Sequence, residues 1–171
     1  NNSVLGLFFD SEGTLWAGAT DGLYKIQVAA DYSSAKFISV PYRRALNAFS
    51  DTRVYKIAED RDGFLWIAAK EGLTRLNKET GEFNFYQNIP SDNTSLPSNQ
   101  VRNVFCDSKG NIWVCTDAGG LTKVVVNDDK VLFRTYRNRL QGNMTGNDAT
   151  MIISVWEENN GTFWLGSYGG G

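Results

Sequence analysis

The chain has 171 residues, with 17 lysines and arginines against 19 aspartates and glutamates, a net charge of −2 and no histidine. The near-balance of charge supplies no global field for nucleic acid or an anionic membrane surface, so neither partner is expected of this segment. The lack of histidine removes the commonest general base and metal ligand, and with them a phospho-accepting histidine. No apolar run approaches the roughly 18 residues of a spanning helix, and there is no signal-peptide pattern.

In chain order, Asn1 to Ser3 lead into an apolar run, Val4 to Phe9, and then Asp10-Ser11-Glu12-Gly13. A second run, Leu15 to Ala19, carries Trp16 and is closed by Gly22. Leu23 to Ile26 follows, then a polar stretch, Gln27 to Lys36, and Phe37 to Val40. Pro41 to Arg53 crosses to a second unit and carries Tyr42-Arg43-Arg44. There the same order returns: Val54 to Ala58, Asp60-Arg61-Asp62-Gly63, Leu65 to Ala69 with Trp66, Gly72, Leu73 to Leu76, and Phe83 to Tyr86 after the turn Asn77 to Gly81.

The next crossing, Gln87 to Gln100, is polar and punctuated by proline, and its one buried-type residue, Leu96, predicts an ordered loop pinned by that side chain. A third unit has Val101 to Cys106, Asp107-Ser108-Lys109-Gly110, Ile112 to Thr116 with Trp113, Gly119-Gly120, Leu121 to Val126 and Leu132 to Tyr136. After Arg137 to Ala149 comes a fourth beginning: Ile152 to Trp156, Glu158-Asn159-Asn160-Gly161, and Phe163 to Ser167 with Trp164, running into Gly169-Gly170-Gly171.

A unit recurring roughly every 50 residues means a solenoid, propeller or array. Short β-branched and aromatic runs, apolar on both faces, predict strands buried on both sides. The acid at the first turn position can accept from the backbone two residues on, and glycine supplies a positive φ, so acidic-x-x-Gly predicts a tight hairpin. Four antiparallel strands per unit make one propeller blade. The expectation is an all-β chain, a β-propeller fragment of about three and a half four-stranded blades. It forms one partial propeller over 1–171, with blades at about 4–40, 54–86 and 101–136 and a half blade at 151–171. Since propellers close with about four to eight blades, the remaining blades of a longer parent chain are expected partners.

The tryptophan at one fixed place in each copy predicts a packing residue that fills the wedge between neighbouring blades. Cys106 and Cys115 lie on the two strands of one hairpin, and a turn centred on Ser108 and Lys109 would set Cys106 opposite Asn111 and Cys115 opposite Arg102. That offset of three to four residues, on the order of 10 Å at ~3.3 Å each, exceeds the roughly 7 Å a disulfide allows. Both are therefore expected as free, buried thiols.

The pattern V-x-x-I-x-x-D-x-x-G-x-L-W-[IV]-G-T-x-x-G-L-x-[RK] resembles the regulator-propeller repeat. Val54, Ile57, Asp60, Gly63, Leu65, Trp66, Ile67, Gly72, Leu73 and Arg75 match it, as do Val101, Val104, Asp107, Gly110, Ile112, Trp113, Thr116, Gly120, Leu121 and Lys123. The connector from Phe83-Asn84-Phe85-Tyr86 to Ser95-Leu96-Pro97-Ser98-Asn99-Gln100 also looks like the family's. Departures are Ala17-Gly18-Ala19, Ala68-Ala69 and Val114-Cys115 in place of Ile/Val-Gly-Thr, and Glu158 in place of Asp. The resemblance implies the periplasmic sensor part of a hybrid two-component histidine kinase of Bacteroides-type bacteria. Such sensors typically detect an oligosaccharide and signal through a dimer.

In propellers, ligands usually meet the channel at the N-terminal end of the innermost strand. With the first strand innermost, the expected ligand-binding residues are Tyr42, Arg43, Arg44, Arg53, Tyr55, Lys70, Arg102 and Tyr168, because arginine forks and tyrosine rings suit anionic sugars. The basic group Arg134, Arg137 and Arg139 reads instead as charge that protects an outer edge strand. The alternatives are a structural or protein-interaction module without its own ligand site and, less favoured, a glycosidase-type propeller. The turn is similar to the Asp-box of sialidases (S-x-D-x-G-x-T-W) in its glycine-to-tryptophan spacing. However, the acid stands three before glycine rather than two, where this chain has Ser11, Arg61, Ser108 and Asn159. Hydrolysis of glycosides also needs two placed carboxylates, and each repeated acid is explained by its turn, so no catalytic residue is expected. Turns such as Asp60-Arg61-Asp62-Gly63 lack the later ligands of a calcium loop, and no metal or cofactor is expected. An open-ended fragment should expose apolar sheet faces and self-associate, by two copies completing a ring or exchanging the half blade.

Overall fold

The structure, a computed structural model, describes residues 3–41, 52–118, 120–127, 130–136 and 151–168. It holds fourteen strands and no helix among the described residues. They form four antiparallel sheets in strict sequential order. The first contains β1 (Val4–Phe9), β2 (Leu15–Ala19), β3 (Gly22–Val28) and β4 (Ala35–Ser39). The second contains β5 (Val54–Glu59), β6 (Leu65–Ala69), β7 (Gly72–Leu76) and β8 (Phe83–Tyr86). The third contains β9 (Val101–Cys106), β10 (Ile112–Thr116), β11 (Leu121–Asn127) and β12 (Lys130–Tyr136), and the last is the hairpin β13 (Met151–Glu157) and β14 (Phe163–Tyr168).

Each sheet lies face to face against the next. The first strands run side by side along one line, β1 by β5, β5 by β9 and β9 by β13, so the first strand of each blade is innermost. A Cβ on Gly6 would stand 2.6 Å from the Tyr55 carbonyl oxygen, so the backbones of β1 and β5 meet with no room for a side chain.

The repeated acid does more than turn the chain. Asp10 Oδ1 accepts from the amides of Glu12 (3.0 Å) and Thr14 (2.8 Å), while Oδ2 accepts from the Trp16 indole Nε1 (2.8 Å). Asp60 repeats the set with Asp62, Phe64 and Trp66, and Asp107 with Lys109, Asn111 and Trp113. Gly13, Gly63, Gly110 and Gly161 sit at φ 79 to 83°, the left-handed position of a three-residue hairpin loop. In the last hairpin Glu158 Oε1 still takes the Trp164 indole at 2.8 Å. Its side chain is one methylene longer, and Asn160 Oδ1 takes over the bond to the Thr162 amide. A cation on the third strand completes each full blade, with Lys25, Arg75 and Lys123 over the rings of Trp16, Trp66 and Trp113.

Trp16 and Trp66 fill the wedges between blades, whereas Trp164 in the last hairpin is 60% exposed. Trp66 is 0% exposed and packs with Val101, Val104, Val114 and Leu96 across the second and third blades. Leu96, also 0% exposed, pins the crossing loop into that core. Trp16 packs with Val54, Ile57 and Ile67 across the first and second blades.

Two expectations need correction. The first strands are not buried on both sides: Lys56 and Ser154 are exposed, and β1 exposes Val4, Leu5, Leu7 and Phe9, because no described element lies in front of the first sheet. The hairpin register also differs by one residue. The loop is Ser108–Gly110 with Asp107 bonded to Asn111, so Cys106 pairs with Ile112 and Cys115 with Asn103. Both thiols are nevertheless free, and burial pushes Cys115 up to about 12.

A charged cluster joins the first two blades. Lys78, in the turn between β7 and β8, reaches Glu59 (2.7 Å), Glu12 (3.1 Å) and Asp10 (3.4 Å). Burial alone would raise the carboxyls of Asp10 and Glu59. For Asp10 the Trp16 indole and backbone amides, and for Glu59 the Lys78 and Ser11 hydrogen bonds, outweigh it and hold both below their usual values. Burial likewise opposes the Lys78 ammonium, yet its carboxylate partners raise it above its usual value.

Two outcomes are expected. In urea denaturation Asp60→Ala should cost about 3 kcal/mol, since it removes the turn acceptor and strands the buried indole donor. Asp60→Asn should cost less, because its carbonyl still takes the turn amides; equal losses would put the whole contribution in the indole bond. The second outcome is a pH profile. Lowered carboxylates stabilise above their unfolded values of 3.8 and 4.5 and lose that contribution as pH falls through their folded ones. A raised lysine stabilises below its unfolded 10.5 and loses that contribution only as pH rises through its still higher folded value. The contribution of this cluster should therefore be flat between those limits, while the raised Cys115 thiol, ordinarily at 9.0, makes overall stability fall as pH rises above that value. Lys78→Met should move the acid unfolding midpoint, followed by tryptophan fluorescence, to higher pH.

Candidate functional site

In every blade one residue of the innermost strand is left out of the ladder by a β-bulge at the same place. The register skips Leu5, Tyr55, Arg102 and Ile153. A bulge twists the strand and re-aims its extra side chain. These four residues therefore form a row, one per blade, near the N-terminal end of the innermost strands.

Beside them lie the residues that close the same end of each hairpin. Thr20 bonds back to Ser3, Lys70 to Arg53 and Asp117 to Gln100. Tyr168 holds the corresponding place in the last hairpin, opposite Met151, and is 72% exposed.

The structure brings Tyr55 and Arg102 together across the second and third blades. Arg102 donates to the Tyr55 hydroxyl (3.2 Å) and lies over its ring at 5.1 Å. Its other nitrogens hold Asp117 in a two-point pair (2.6 and 2.9 Å) and reach Gln100 (3.3 Å). The Asp117 hydrogen bonds raise the Arg102 guanidinium further, against burial and the nearby charge of Arg53. Arg53 and Lys70 meet this group through their paired backbone, with Arg53 half-buried and Lys70 at the hairpin end. Tyr42, Arg43 and Arg44 lie outside the described residues, as do Arg137 and Arg139. Arg134 lies over the Tyr136 ring on the outermost strand of its sheet.

Sequence reasoning selected Arg102 as a hand for an anion, but each of its nitrogens already has a partner within the protein. It missed Asp117, which sits four residues after Trp113 just as Lys70 follows Trp66. That spacing could have found it. It also missed Leu5 and Ile153, whose equivalence to Tyr55 and Arg102 needs only the shared distance of five residues before each turn acid. Among the described residues no group of three or more acids or cysteines could hold a metal.

The comparisons with known proteins agree with this architecture. Residues 48–71 and 95–118 match the two-component regulator propeller family. A histidine kinase of Formosa agariphila is 32% identical over 85 residues, which is 49% of this chain and 6% of that protein. The extracellular domain of a hybrid two-component system from B. thetaiotaomicron superposes with a TM-score of 0.72 at 24% identity, over 97% of this chain and 22% of that one. Virginiamycin B lyase from Staphylococcus aureus shares the fold with a TM-score of 0.64 at 14% identity, over 95% of this chain and 48% of that one. This chain thus spans a small part of its two-component relatives. Two of its four copies are therefore two-component regulator propeller repeats, and the other two share their turn glycine and tryptophan.

Proposed function

We propose that this segment is part of the sensor region of a two-component histidine kinase, lies outside the cytoplasm in the periplasm, and contributes to detecting an oligosaccharide. The observation that carries the reading is the row of bulge residues beside Arg53 and Lys70. The backbone there is the same in every blade, yet the side chains differ: Leu5, Tyr55, Arg102 and Ile153. In a repeat protein, positions held in one geometry but free in chemistry suit recognition. The half-buried Tyr55 ring, with the apolar Leu5 at the same position of the preceding blade, offers surface for a pyranose face, and Arg53 and Lys70 lie at the same end of the sheet. The relatives' names support the kinase context, and the described residues include no helix long and apolar enough to cross a membrane.

The segment carries no chemistry of its own in this reading. Its repeated acids are held by turn amides and indoles, and the lyase likeness concerns fold alone. The exposed faces of the first and last sheets, with Leu7 and Phe9 on one and Trp156 and Trp164 on the other, are assigned to further blades of the parent chain. A second reading, a structural module without a ligand site, is favoured by the full complement of partners around Arg102.

A thermal-shift screen against neutral, sulfated and uronic oligosaccharides separates the two. Saturating ligand at a hundredfold over Kd adds about 2.7 kcal/mol, an upward shift of several degrees. Tyr55→Ala and Arg53→Ala should abolish the shift in a protein that still unfolds cooperatively. No shift with any sugar, or one untouched by both substitutions, favours the scaffold.

A further inference from the structure

Two positions flank every turn acid, one immediately before it and one immediately after. The residues before are Phe9, Glu59, Cys106 and Glu157, and those after are Ser11, Arg61, Ser108 and Asn159. Neither set repeats as the acid and tryptophan do. Both sets meet at the blade interfaces.

Between the first and second blades, Glu59 accepts from the Ser11 amide (2.6 Å) and from its hydroxyl (2.8 Å). Between the third blade and the last hairpin, Glu157 accepts from the Ser108 amide (2.7 Å) and its hydroxyl (2.9 Å). The chain spells the same contact twice, with a serine after one acid and a glutamate before the next.

Between the second and third blades both partners change together. Cys106 replaces the glutamate and Arg61 replaces the serine. Arg61 instead sends its guanidinium forward to the Ser108 carbonyl oxygen (3.0 Å) and lies over Gly110, where a Cβ would fall on its side chain. A glutamate at the acceptor position goes with a hydroxyl donor; a cysteine goes with a long cation that finds a backbone acceptor instead.

We propose that this pair of positions is the determinant by which a blade recognises its neighbour. The residue after the turn acid in one blade is read by the residue before the turn acid in the next. The Asp–Trp core is identical in every full blade and cannot discriminate among neighbours. The pair can, because a carboxylate there needs donors, which the serine supplies at both interfaces and Lys78 supplements at Glu59 (2.7 Å). The partner that fits a serine-type face is thus a blade whose first strand ends in glutamate. A face bearing arginine fits one whose first strand ends in a small, uncharged side chain and whose turn offers glycine.

The test is thermal denaturation of the whole chain. Ser108→Ala and Glu157→Ala should each lower Tm by about 2–4 °C, and the double variant should fall no further than the larger single loss, since the two act on one contact. Additive losses would overturn the pairing. The second interface supplies a transplant. In an Arg61→Ser background, Cys106→Glu should raise Tm, because the new carboxylate meets a new hydroxyl and its amide. Cys106 packs against the core shared by the two blades, so a charge placed there without recognition would lower Tm. A fall on adding Cys106→Glu to Arg61→Ser would overturn the proposal.

Discussion

The hydrogen bond from the tryptophan indole to the turn acid is the constraint on which the rest depends. A carboxylate has two oxygens, and here they serve two levels of structure. One takes the backbone amides that shape the hairpin loop, while the other takes the indole of the strand that leaves it, at 2.7 to 2.8 Å in all three full blades. The loop thereby fixes the orientation of the ring that fills the space between blades. Local turn chemistry and long-range packing share one side chain, so neither can change alone. In the second blade Arg75, over the Trp66 ring, also lies 3.6 Å from Asp60 and adds charge balance for that carboxylate.

That coupling explains why so much of the fold was legible in the sequence. Acid, glycine and tryptophan recur because each copy must solve the same problem, and their spacing places the hairpin, the wedge residue and hence the blade. Leu96 was legible for a related reason: a lone aliphatic residue in a polar crossing has nowhere else to go. What escaped was everything that joins unlike positions. Lys78 is 68 residues from Asp10 and sits in a turn, where its sequence reads as a solvated loop. Only the stacking of blades brings it to three carboxylates. The register of Cys106 and Cys115 escaped because a two-residue and a three-residue loop leave the same sequence signature, and only the left-handed glycine at Gly110 decides between them.

The candidate site was legible only in part. Its expected location followed from propeller geometry, which puts the first strand innermost as the structure does. Its electrostatics did not, because a guanidinium in sequence carries no record of Asp117, Tyr55 and Gln100 around it. Three residues of the list, Tyr42, Arg43 and Arg44, fall outside the described chain altogether.

Repetition itself sorts the side chains by purpose. Where the three full blades agree, as at Asp10, Asp60 and Asp107, the residue answers to the blade's own geometry. Where neighbours change in step, as at Ser11 with Glu59 and Arg61 with Cys106, the residue answers to the adjoining blade. Where the backbone is the same but the side chains differ, as at Leu5, Tyr55, Arg102 and Ile153, the geometry of the blade does not dictate the choice. Arg102 shows that such freedom can still be taken up by a local partner, since Asp117 is as particular to its blade as Arg102 is. Tyr55 is the more telling member of the row. Its hydroxyl is engaged, but a ring at a bulge on the innermost strand contributes nothing to the ladder and is not required by the wedge. What it meets in the structure is the Arg102 guanidinium of the next blade, which engages both its hydroxyl and its face.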